Sequence, residues 1–379
     1  MPAFRNLYVH FPYCETKCHY CDFFSLPEPK TAPNDRARVY DAILRERSLI
    51  KLEALETVFL GGGTPSLVPL KVMAALMRTL PLTPSTEVTM EANPSSVTLE
   101  RAREWRRMGV NRISLGTQAL EDARLKWLGR VHNTAGIHAA LDALIKGGFE
   151  NVNIDYILGA PGQAVAQIRA ELTQTLRRHP DVCHVSAYLL TLKSSNSKFN
   201  ELPPEEAQLE HLRTARETLL GLGFEHYEIS NFARPGRRAL HNENYWLGGS
   251  YAGIGPGAHS FRGASLGTPR RAKNWASLSK YCEEIDQGRA PREWEEDLSS
   301  EQERIEYLML HLRRAEGVNP QDYARRFGKD LLSERGNWIE ILEKKGLCSF
   351  SPGDERSAAR LRLTADGFFL SDQVIEKFL

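Results

Sequence analysis

The sequence lacks the long apolar stretch and the charge imbalance that mark several classes of protein. No hydrophobic run among its 379 residues reaches the roughly eighteen residues that a membrane-spanning helix needs. The 49 Lys and Arg residues against 48 Asp and Glu residues leave a formal net charge of +1, so no overall field attracts nucleic acid or anionic lipid. Because the first predicted strand begins almost at once, we expect no signal or transit peptide and a cytoplasmic protein.

Cysteine is also scarce, with six residues in the chain. Cys183, Cys282 and Cys348 stand alone in apolar or mixed surroundings. Isolated cysteines of this kind are typical of buried thiols in a reducing compartment rather than of a disulfide framework. The other three cysteines lie close together, directly after an apolar strand-like run, with the spacing C-x3-C-x2-C: Cys14, Cys18 and Cys21.

Three clustered thiolates indicate an incomplete set of metal ligands. They cannot close a four-coordinate zinc site, and they leave one iron of a four-iron cluster without a protein ligand, where a small molecule could coordinate. A zinc knuckle completed by His10 or His19 and a set of three unrelated buried thiols are the alternatives. Zinc motifs usually come as paired C-x2-C units, which favours the cluster.

Short apolar runs alternate with segments of helical periodicity through the first 220 residues, which is the pattern of a parallel α/β sheet. The predicted strands are Leu7–Phe11, Thr57–Leu60, Glu87–Glu91, Arg112–Gly116, Val152–Ile157 and Val185–Leu190. The predicted helices lie near Val39–Leu55, Leu70–Leu80, Leu99–Met108, Ala135–Lys146, Val165–Arg178 and Glu205–Leu220. The expected fold class is therefore α/β, with two βα units fewer than a closed eight-stranded barrel contains.

Glycines and polar side chains follow these strands one after another. The second strand leads into Gly61-Gly62-Gly63-Thr64-Pro65, and later strands lead to Glu91 with Asn93, to Gln118 with Arg130 beyond it, and to Asp155. Each of these alone is more often a tight turn or a hydrogen-bonded strand end. Because the carboxyl ends of parallel strands meet at one face of the sheet, the series together predicts the mouth of a pocket.

The cysteine spacing and the six βα units resemble the radical S-adenosylmethionine (SAM) proteins. This resemblance implies a partial (β/α)6 TIM-like barrel and a [4Fe-4S] cluster held by Cys14, Cys18 and Cys21. It also implies that the free iron chelates SAM through its amino and carboxylate groups. Since the cluster delivers the electron that cleaves SAM in such proteins, an electron donor such as flavodoxin or ferredoxin is an expected partner.

Further motifs resemble the branch that contains the anaerobic coproporphyrinogen III dehydrogenase. They are Tyr8-Val9-His10-Phe11-Pro12, the Gly-Gly-Gly-Thr-Pro turn, Glu91-Ala92-Asn93-Pro94, Gly109–Ser114, Asn153-Ile154-Asp155 and Pro161-Gly162-Gln163. In that branch, the residues that match Gly62, Gly63 and Thr64 contact the methionyl end of SAM. The remaining SAM residues of the branch match Glu91, Gln118, Arg130 and Asp155, and the residue that matches Tyr8 lies beside the cluster.

Two features favour one group within that branch, the HemW-type heme chaperones. The dehydrogenase has a further cysteine where this chain has Phe23, and the segment His241–Trp246 matches the H-N-x-x-Y-W motif of the chaperones. The resemblance implies a heme site at His241, Tyr245 and Trp246, since a porphyrin needs an axial ligand and flat apolar walls. The residues alone favour an alternative, in which His241 and Asn242 hydrogen-bond a loop and Trp246 packs. If heme binds without His241, His259 is the expected substitute for the axial ligand.

The resemblance leaves several functions open. A heme chaperone delivers heme to acceptor proteins such as respiratory proteins, whereas an oxygen-independent coproporphyrinogen III oxidase removes propionate carboxyl groups after hydrogen abstraction. A purely structural zinc protein does not explain the polar strand ends. Catalysis and homodimer formation both stay open. The segment Lys193–Ser197 replaces an acidic residue and a Pro-Gly turn that relatives commonly have, which puts the contacts of this loop in question.

The chain is expected to divide into three parts: a barrel over residues 1–235, a connecting region over 236–298 with the heme motif, and a C-terminal domain over 299–379. Ser300 with Glu303 predicts a capping box, Asn319-Pro320 a second helix start, and Gly346 the end of a third helix. Two strands, Leu347–Phe350 and Arg360–Leu363, flank a Ser-Pro-Gly-Asp turn, and a last helix begins at Ser371. This small α+β part resembles a winged helix. Its 13 basic and 14 acidic residues argue against a phosphate-binding face.

Overall fold

The computed structural model describes residues 3–353 and 358–379, and its architecture is α/β. The strands are β1 Phe4–Phe11, β2 Tyr13–Cys14, β3 Leu26–Pro27, β4 Leu52–Gly62, β5 Glu87–Ala92, β6 Arg112–Gln118, β7 Val152–Leu158, β8 Val182–Leu189, β9 Glu225–His226, β10 Asn231–Ala233, β11 Ala252–Ile254, β12 His259–Arg262, β13 Arg270–Asn274, β14 Arg292–Asp297, β15 Cys348–Ser351 and β16 Arg360–Leu363.

Most of the α-helices cover the outer face of the sheet or form the C-terminal part. They are α1 Pro33–Leu49, α2 Leu70–Met77, α3 Leu99–Arg107, α4 Asp122–Trp127, α5 Thr134–Lys146, α6 Val165–Arg178, α7 Glu205–Gly221, α8 Leu240–Trp246, α9 Leu278–Asp286, α10 Ser300–His311, α11 Pro320–Phe327, α12 Leu331–Lys344, α13 Ala365–Phe369 and α14 Ser371–Glu376. Within the described ranges, no helix is both long and apolar enough to cross a membrane.

The six predicted strands form the centre of the largest sheet, as neighbours in the order β1-β4-β5-β6-β7-β8, and all five pairings are parallel. Their apolar side chains pack under the helices that follow each strand, in one continuous core. The predicted parallel α/β arrangement is therefore confirmed. Because all six strands run in the same direction, their carboxyl ends gather at one face of the sheet. The cysteine motif and the polar strand-end residues lie at this face.

Three further strands extend this sheet, and they were not predicted from the sequence. The strand β11 pairs in parallel with β1 at one edge, while β10 and β9 add antiparallel pairs beyond β8 at the other edge. Each has two or three residues, which is too short for a period-two pattern to be recognised.

Helix α1 is displaced from its prediction. It begins at Pro33 rather than Val39 and ends at Leu49 rather than Leu55. Proline at the first helical turn is favourable because its missing N–H has no partner there in any case. The predicted last residues belong instead to β4, which begins at Leu52 and therefore reaches further than the predicted Thr57–Leu60 strand.

The expected connecting region, residues 236–298, packs on the barrel. It supplies β11, and Tyr281, Cys282 and Ile285 of α9 join the main core. The remaining strands of this region, β12, β13 and β14, form a separate antiparallel sheet. The boundary at residue 236 therefore does not divide the hydrophobic core.

The C-terminal part has a core of its own. Buried side chains of α10 to α12, of the β15–β16 ribbon and of the last helices form a second hydrophobic cluster. Its first capping box uses Ser299 and Gln302, one residue earlier than predicted, because the Ser299 hydroxyl accepts from the Gln302 backbone N–H. Asn319 caps α11 and Gly346 follows α12 with φ +70°, as expected. The predicted Ser-Pro-Gly-Asp turn extends into residues 354–357, outside the described residues.

Candidate functional site: a cysteine-lined cavity at the carboxyl ends of the strands

The three motif cysteines come together at the end of β1 and β4. Cys14 ends the short strand β2, and the loop beyond it closes with a bond from the Cys21 N–H to the Cys18 carbonyl at 3.2 Å. All three line one cavity of about 140 Å³. The walls of the same cavity include most of the predicted SAM residues: Gly62, Gly63, Thr64, Glu91, Gln118, Arg130 and Asp155.

The glycine turn after β4 lies directly against the cysteine loop. Gly63 donates its N–H to the Phe11 carbonyl at 2.6 Å, and Thr64 donates to the Tyr13 carbonyl at 2.7 Å. A Cβ atom at Gly63 would lie 2.5 Å from the Tyr13 carbonyl oxygen, so no other residue fits without a backbone shift. Gly62 has φ +109°, a conformation that side chains disfavour. This turn therefore presents bare backbone to the cavity beside the cysteines.

Two carboxyl groups, Glu91 and Asp155, line the same cavity, and burial raises the pKa of both. Burial, then the charge of Asp155, raises the pKa of Glu91 to about 8, although the Gly62 N–H donates to this carboxyl at 3.1 Å. Burial likewise raises the pKa of Asp155 to about 6, against the opposing effect of a 2.7 Å bond from the Asn153 amide. The pair is suited to a cationic ligand, which would restore the carboxylate charge.

Arg130 connects the cysteine loop with the strand ends. Its guanidinium donates to the Asn93 side-chain carbonyl at 2.6 Å, to the Gly116 carbonyl at 3.1 Å and to the Cys18 sulfur at 3.5 Å. The buried Nε has no partner among the described residues. Asn93 in turn donates to Thr64 at 3.2 Å. An arginine held in this way can receive a carboxylate, and Asn93 is a supporting residue that the sequence indicated only by its position after a strand.

Gln118 stands at the end of β6 in a strained conformation. In the described ranges it is the one residue other than glycine with a positive φ, 66°. Such backbone strain costs energy and is found mostly where a side chain must be aimed at a ligand. Here it turns the side chain into the cavity, where its amide nitrogen lies near Gly116.

Tyr8 lies apart from the predicted SAM residues. It does not line the cysteine cavity; instead its hydroxyl bonds the His10 Nδ1 at 3.0 Å, below the glycine turn. The other ring nitrogen of His10 bonds the Phe24 carbonyl at 2.8 Å. Tyr8 and His10 therefore support the cysteine loop from beneath.

These contacts also bear on the zinc alternative. Both nitrogens of His10 are engaged, and His19 uses Nε2 on the Trp127 carbonyl at 3.1 Å. In residues 3–353 and 358–379, no group of three His, Cys, Asp or Glu side chains is arranged to hold a single metal ion.

A second cavity, of about 380 Å³, continues from the first into the barrel. Both cavities share Tyr20, Phe23, Glu91 and Asp155, and the larger one extends to Asn242 of the His241 motif. Phe23 lies at the rim and is 66% exposed. A ligand larger than SAM could therefore reach the carboxyl pair from this side.

The loop at 193–197 packs on the cysteine loop, although its sequence departs from the common pattern. Lys193 pairs with Asp22 at 2.8 Å, and the Asn196 amide donates to the His19 carbonyl at 2.9 Å. The loop thus supports the outer side of the cysteine segment.

His241 does not lie at an open surface. Its ring is 0% exposed, with Nδ1 2.6 Å from the Thr57 hydroxyl and Nε2 2.8 Å from the Tyr245 hydroxyl. Burial lowers the pKa of His241 to about 3, so the imidazole is neutral. The helix that carries it is held at its start by Glu87, which accepts the His241 N–H at 3.1 Å.

Comparison with known proteins identifies the family. A model of the radical SAM superfamily matches residues 8–173. A curated relative from Bacillus subtilis, named heme chaperone HemW, is 30% identical over 99% of this chain and 99% of its own. The chain belongs to the HemW family of the radical SAM superfamily.

Two further similarities concern a second HemW protein and a solved structure. Heme chaperone HemW of Escherichia coli is 35% identical, covering 67% of this chain and 69% of its own. The solved structure of E. coli coproporphyrinogen III oxidase, HemN, described as a radical SAM enzyme, is similar with a TM-score of 0.82 over 100% of this chain and 91% of that one. Its 20% sequence identity shows the shared fold, so the predicted radical SAM architecture is confirmed.

Membership of the superfamily implies a [4Fe-4S] cluster and SAM, and the side chains that line the cavity have the chemistry to hold both. Three thiols converge on one cavity, the donor set that leaves one iron open. The bare Gly63 backbone and the raised pKa values of the two carboxyls suit a ligand that carries a positive charge.

Proposed function

We propose that this chain is a radical SAM heme chaperone, which binds a [4Fe-4S] cluster, SAM and heme and delivers heme to acceptor proteins. One observation carries the proposal: the chain is 30% identical, over almost its whole length, to a protein named heme chaperone HemW. The His241–Trp246 motif and the phenylalanine at position 23 support the same assignment.

In this proposal each wall of the cysteine cavity has one task. Cys14, Cys18 and Cys21 hold the cluster, which supplies an open iron and a transferable electron. The glycine turn admits the methionyl end of SAM, and Arg130 receives its carboxylate. Glu91 and Asp155 face its positive charge and its ribose hydroxyls. Tyr8 acts indirectly, by supporting the cysteine loop through His10.

The alternative is an oxygen-independent coproporphyrinogen III oxidase. The HemN-like fold and the 380 Å³ cavity beside the carboxyl pair favour it, since that cavity opens onto the proposed SAM site. Phe23 argues against it, because a phenyl ring can neither coordinate iron nor relay a proton at the position of the dehydrogenase cysteine. We therefore propose a binding and transfer protein rather than a decarboxylase.

Two titrations of anaerobically reconstituted protein test the proposal. Added heme should give a saturable Soret shift with a stoichiometry of about one per chain. Coproporphyrinogen III, supplied with SAM and a reductant, should stay unconverted. A wild-type protein that converts coproporphyrinogen, or that leaves the heme spectrum as in buffer, contradicts the assignment.

The proposal also includes a set of partners. Heme-accepting proteins such as respiratory proteins would receive the cargo, and flavodoxin or ferredoxin would reduce the cluster. We place this work in the cytoplasm, because an oxygen-sensitive cluster and thiols buried without disulfides, such as Cys183 and Cys348, suit a reducing compartment. Light scattering of the cluster-loaded protein, with and without heme, would show whether a homodimer forms.

A further inference from the structure

One buried arginine in the barrel has no counter-ion. The buried arginines in the described ranges are Arg112, Arg124 and Arg304. Arg124 pairs with Glu171, and Arg304 pairs with Glu334 at 3.2 Å. Arg112 is 2% exposed, and no described residue forms an ion pair or a hydrogen bond with its guanidinium. Because an unpaired buried charge is costly, this cation is suited to an anion that comes from outside the chain.

Arg112 lies on the wall of the 380 Å³ cavity beside the proposed SAM site. It is the first residue of β6, and Ser114, two residues further on, lines the same cavity. Alternate residues of a strand point to the same side, so the side chain of Arg112 starts deeper in the barrel than the polar strand ends do. The cavity therefore leads from the cysteine loop to a buried cation.

Asp155 lines the same cavity but does not serve as the counter-ion. Its carboxylate accepts from the Asn153 amide at 2.7 Å, and it forms no ion pair with Arg112. Burial raises the pKa of Asp155 to about 6, and the charge of Arg112 opposes this rise less than the Asn153 bond does. The charge of Arg112 thus acts on Asp155 from a distance, which leaves the guanidinium N–H groups to a ligand.

The rest of the cavity suits an uncharged, apolar body. Its walls include five apolar side chains: Phe23, Phe59, Ile157, Leu189 and Leu190. A cavity of this size takes a small organic ligand. Glu91 and Asp155 also line it, so a second negative charge on the ligand would meet two carboxyls and no further unpaired arginine.

We propose that this cavity binds a carboxylate on an apolar body, and that the guanidinium of Arg112 holds the carboxylate. A guanidinium presents a planar fork of N–H donors that matches the two oxygens of a carboxylate. The inference deepens the proposed function, on which it rests for the neighbouring SAM site, by naming the ligand chemistry of the cavity. Two sources have this chemistry: a propionate arm of a porphyrin and a small free carboxylate.

The first test uses the wild-type protein and needs neither heme nor SAM. The anaerobically reconstituted protein is titrated into para-fluorophenylpropionate, and the fluorine NMR line width reports binding. The amide of this acid has the same shape without the charge, so we expect it to bind about tenfold more weakly or worse. Equal affinity for the acid and the amide overturns the inference, as does an acid that does not bind.

The second test assigns the binding to Arg112. Arg112→Met should weaken binding of the fluorinated acid by about ten- to a hundredfold, and Arg112→Lys, which keeps the charge without the planar fork, should restore part of it. Arg103→Met, which changes an exposed arginine on α3, is the matched control and should bind as the wild type does. Equal affinity in Arg112→Met and the wild type overturns the inference. The comparison of acid and amide needs no variant, so it decides the matter even if Arg112→Met does not fold.

Competition identifies the source of the carboxylate. If a porphyrin propionate is the ligand, metal-free protoporphyrin should displace the fluorinated acid and its dimethyl ester should not. If a small free carboxylate is the ligand, neither porphyrin should displace the acid. Equal displacement by protoporphyrin and its ester overturns the role given to the carboxylate.

The outcomes separate this inference from the proposed function. Binding of the fluorinated acid that ignores Arg112, in a protein that binds heme and SAM, overturns the inference and leaves the chaperone function standing. A protein that binds no heme overturns the chaperone function, while binding of the acid that depends on Arg112 still supports the carboxylate site.

Discussion

Binding of SAM in the cysteine cavity should release a proton at neutral pH, because Glu91 is largely protonated before SAM arrives. Burial and the nearby Asp155 raise the pKa of Glu91 to about 8, and burial raises that of Asp155 to about 6. At pH 7 these carboxyls therefore carry about 0.9 and about 0.1 of a proton. The sulfonium of SAM favours the carboxylate forms, so about one proton should leave the two carboxyls per SAM bound. The α-amino group of SAM, whose ordinary pKa is about 7.7–8.0, should lose about one more when it chelates the iron.

The same linkage fixes the direction of the pH dependence. Because binding to the cluster-loaded protein releases about two protons near pH 7, the affinity for SAM should rise there by about a hundredfold per pH unit and level off above about pH 8. The Glu91→Gln variant cannot titrate at this position, so its affinity should rise by only about tenfold per pH unit near pH 7, the part that the amino group of SAM contributes.

Calorimetry in buffers of different ionisation enthalpy measures the released protons directly. For cluster-loaded protein at pH 7, we expect the apparent binding enthalpy to depend on buffer enthalpy with a slope of about two, one proton from the carboxyl pair and one from the amino group of SAM. The slope should fall to about one in Glu91→Gln and stay at about two in Glu53→Gln, which alters an exposed glutamate. A wild-type enthalpy that ignores the buffer refutes the reasoning, as does a slope that Glu91→Gln leaves intact.

Three other changes test separate parts of the account. Joint replacement of the three motif cysteines by serine should remove the roughly four irons per chain that reconstitution gives, while Cys183→Ser keeps them, as an iron assay would show; equal iron in both proteins would contradict the cluster assignment. Asp155→Ala should weaken SAM binding by about ten- to a hundredfold with iron content unchanged, and unchanged affinity would move the SAM site elsewhere. Leu361→Ala, in the C-terminal core at 0% exposure, should cost about 2–5 kcal/mol of unfolding free energy in urea, against about 0.5 kcal/mol or less for the exposed Leu332→Ala; equal losses would contradict the packing of that core.

The sequence allowed the central sheet to be predicted because its strands are buried on both faces. Runs such as Leu7–Phe11 and Val152–Ile157 are apolar enough to stand out without any alternation. Their parallel order then placed the polar residues at one face, so the grouping of Glu91 and Asp155 in one cavity followed from topology. The two- and three-residue edge strands gave no such signal, since their pairing depends on neighbours far away in the chain.

The surroundings of the His241–Trp246 motif could be predicted only in part. The segment His241–Trp246 indicated a histidine with aromatic neighbours, and the structure has these neighbours. The burial of His241 could not be predicted, because the residues that hold its Nδ1 side come from the first two strands of the sheet. Thr57, which bonds the ring, lies 184 residues earlier, and Asn6, which bonds Thr57, lies further still. Likewise Asn93 follows a strand in an ordinary position, and only its contact with Arg130 shows its part in the site.

The most direct measurement of the central claim is the rate at which heme passes from this chain to a protein acceptor. The heme-loaded protein is mixed with membranes that contain heme-free respiratory acceptors, and separately with apomyoglobin, which only traps heme that has dissociated. A chaperone hands over heme in contact with its acceptor, so the transfer rate to the membranes should rise with acceptor concentration and exceed the trapping rate. A transfer rate that equals the dissociation rate at every acceptor concentration would contradict the account.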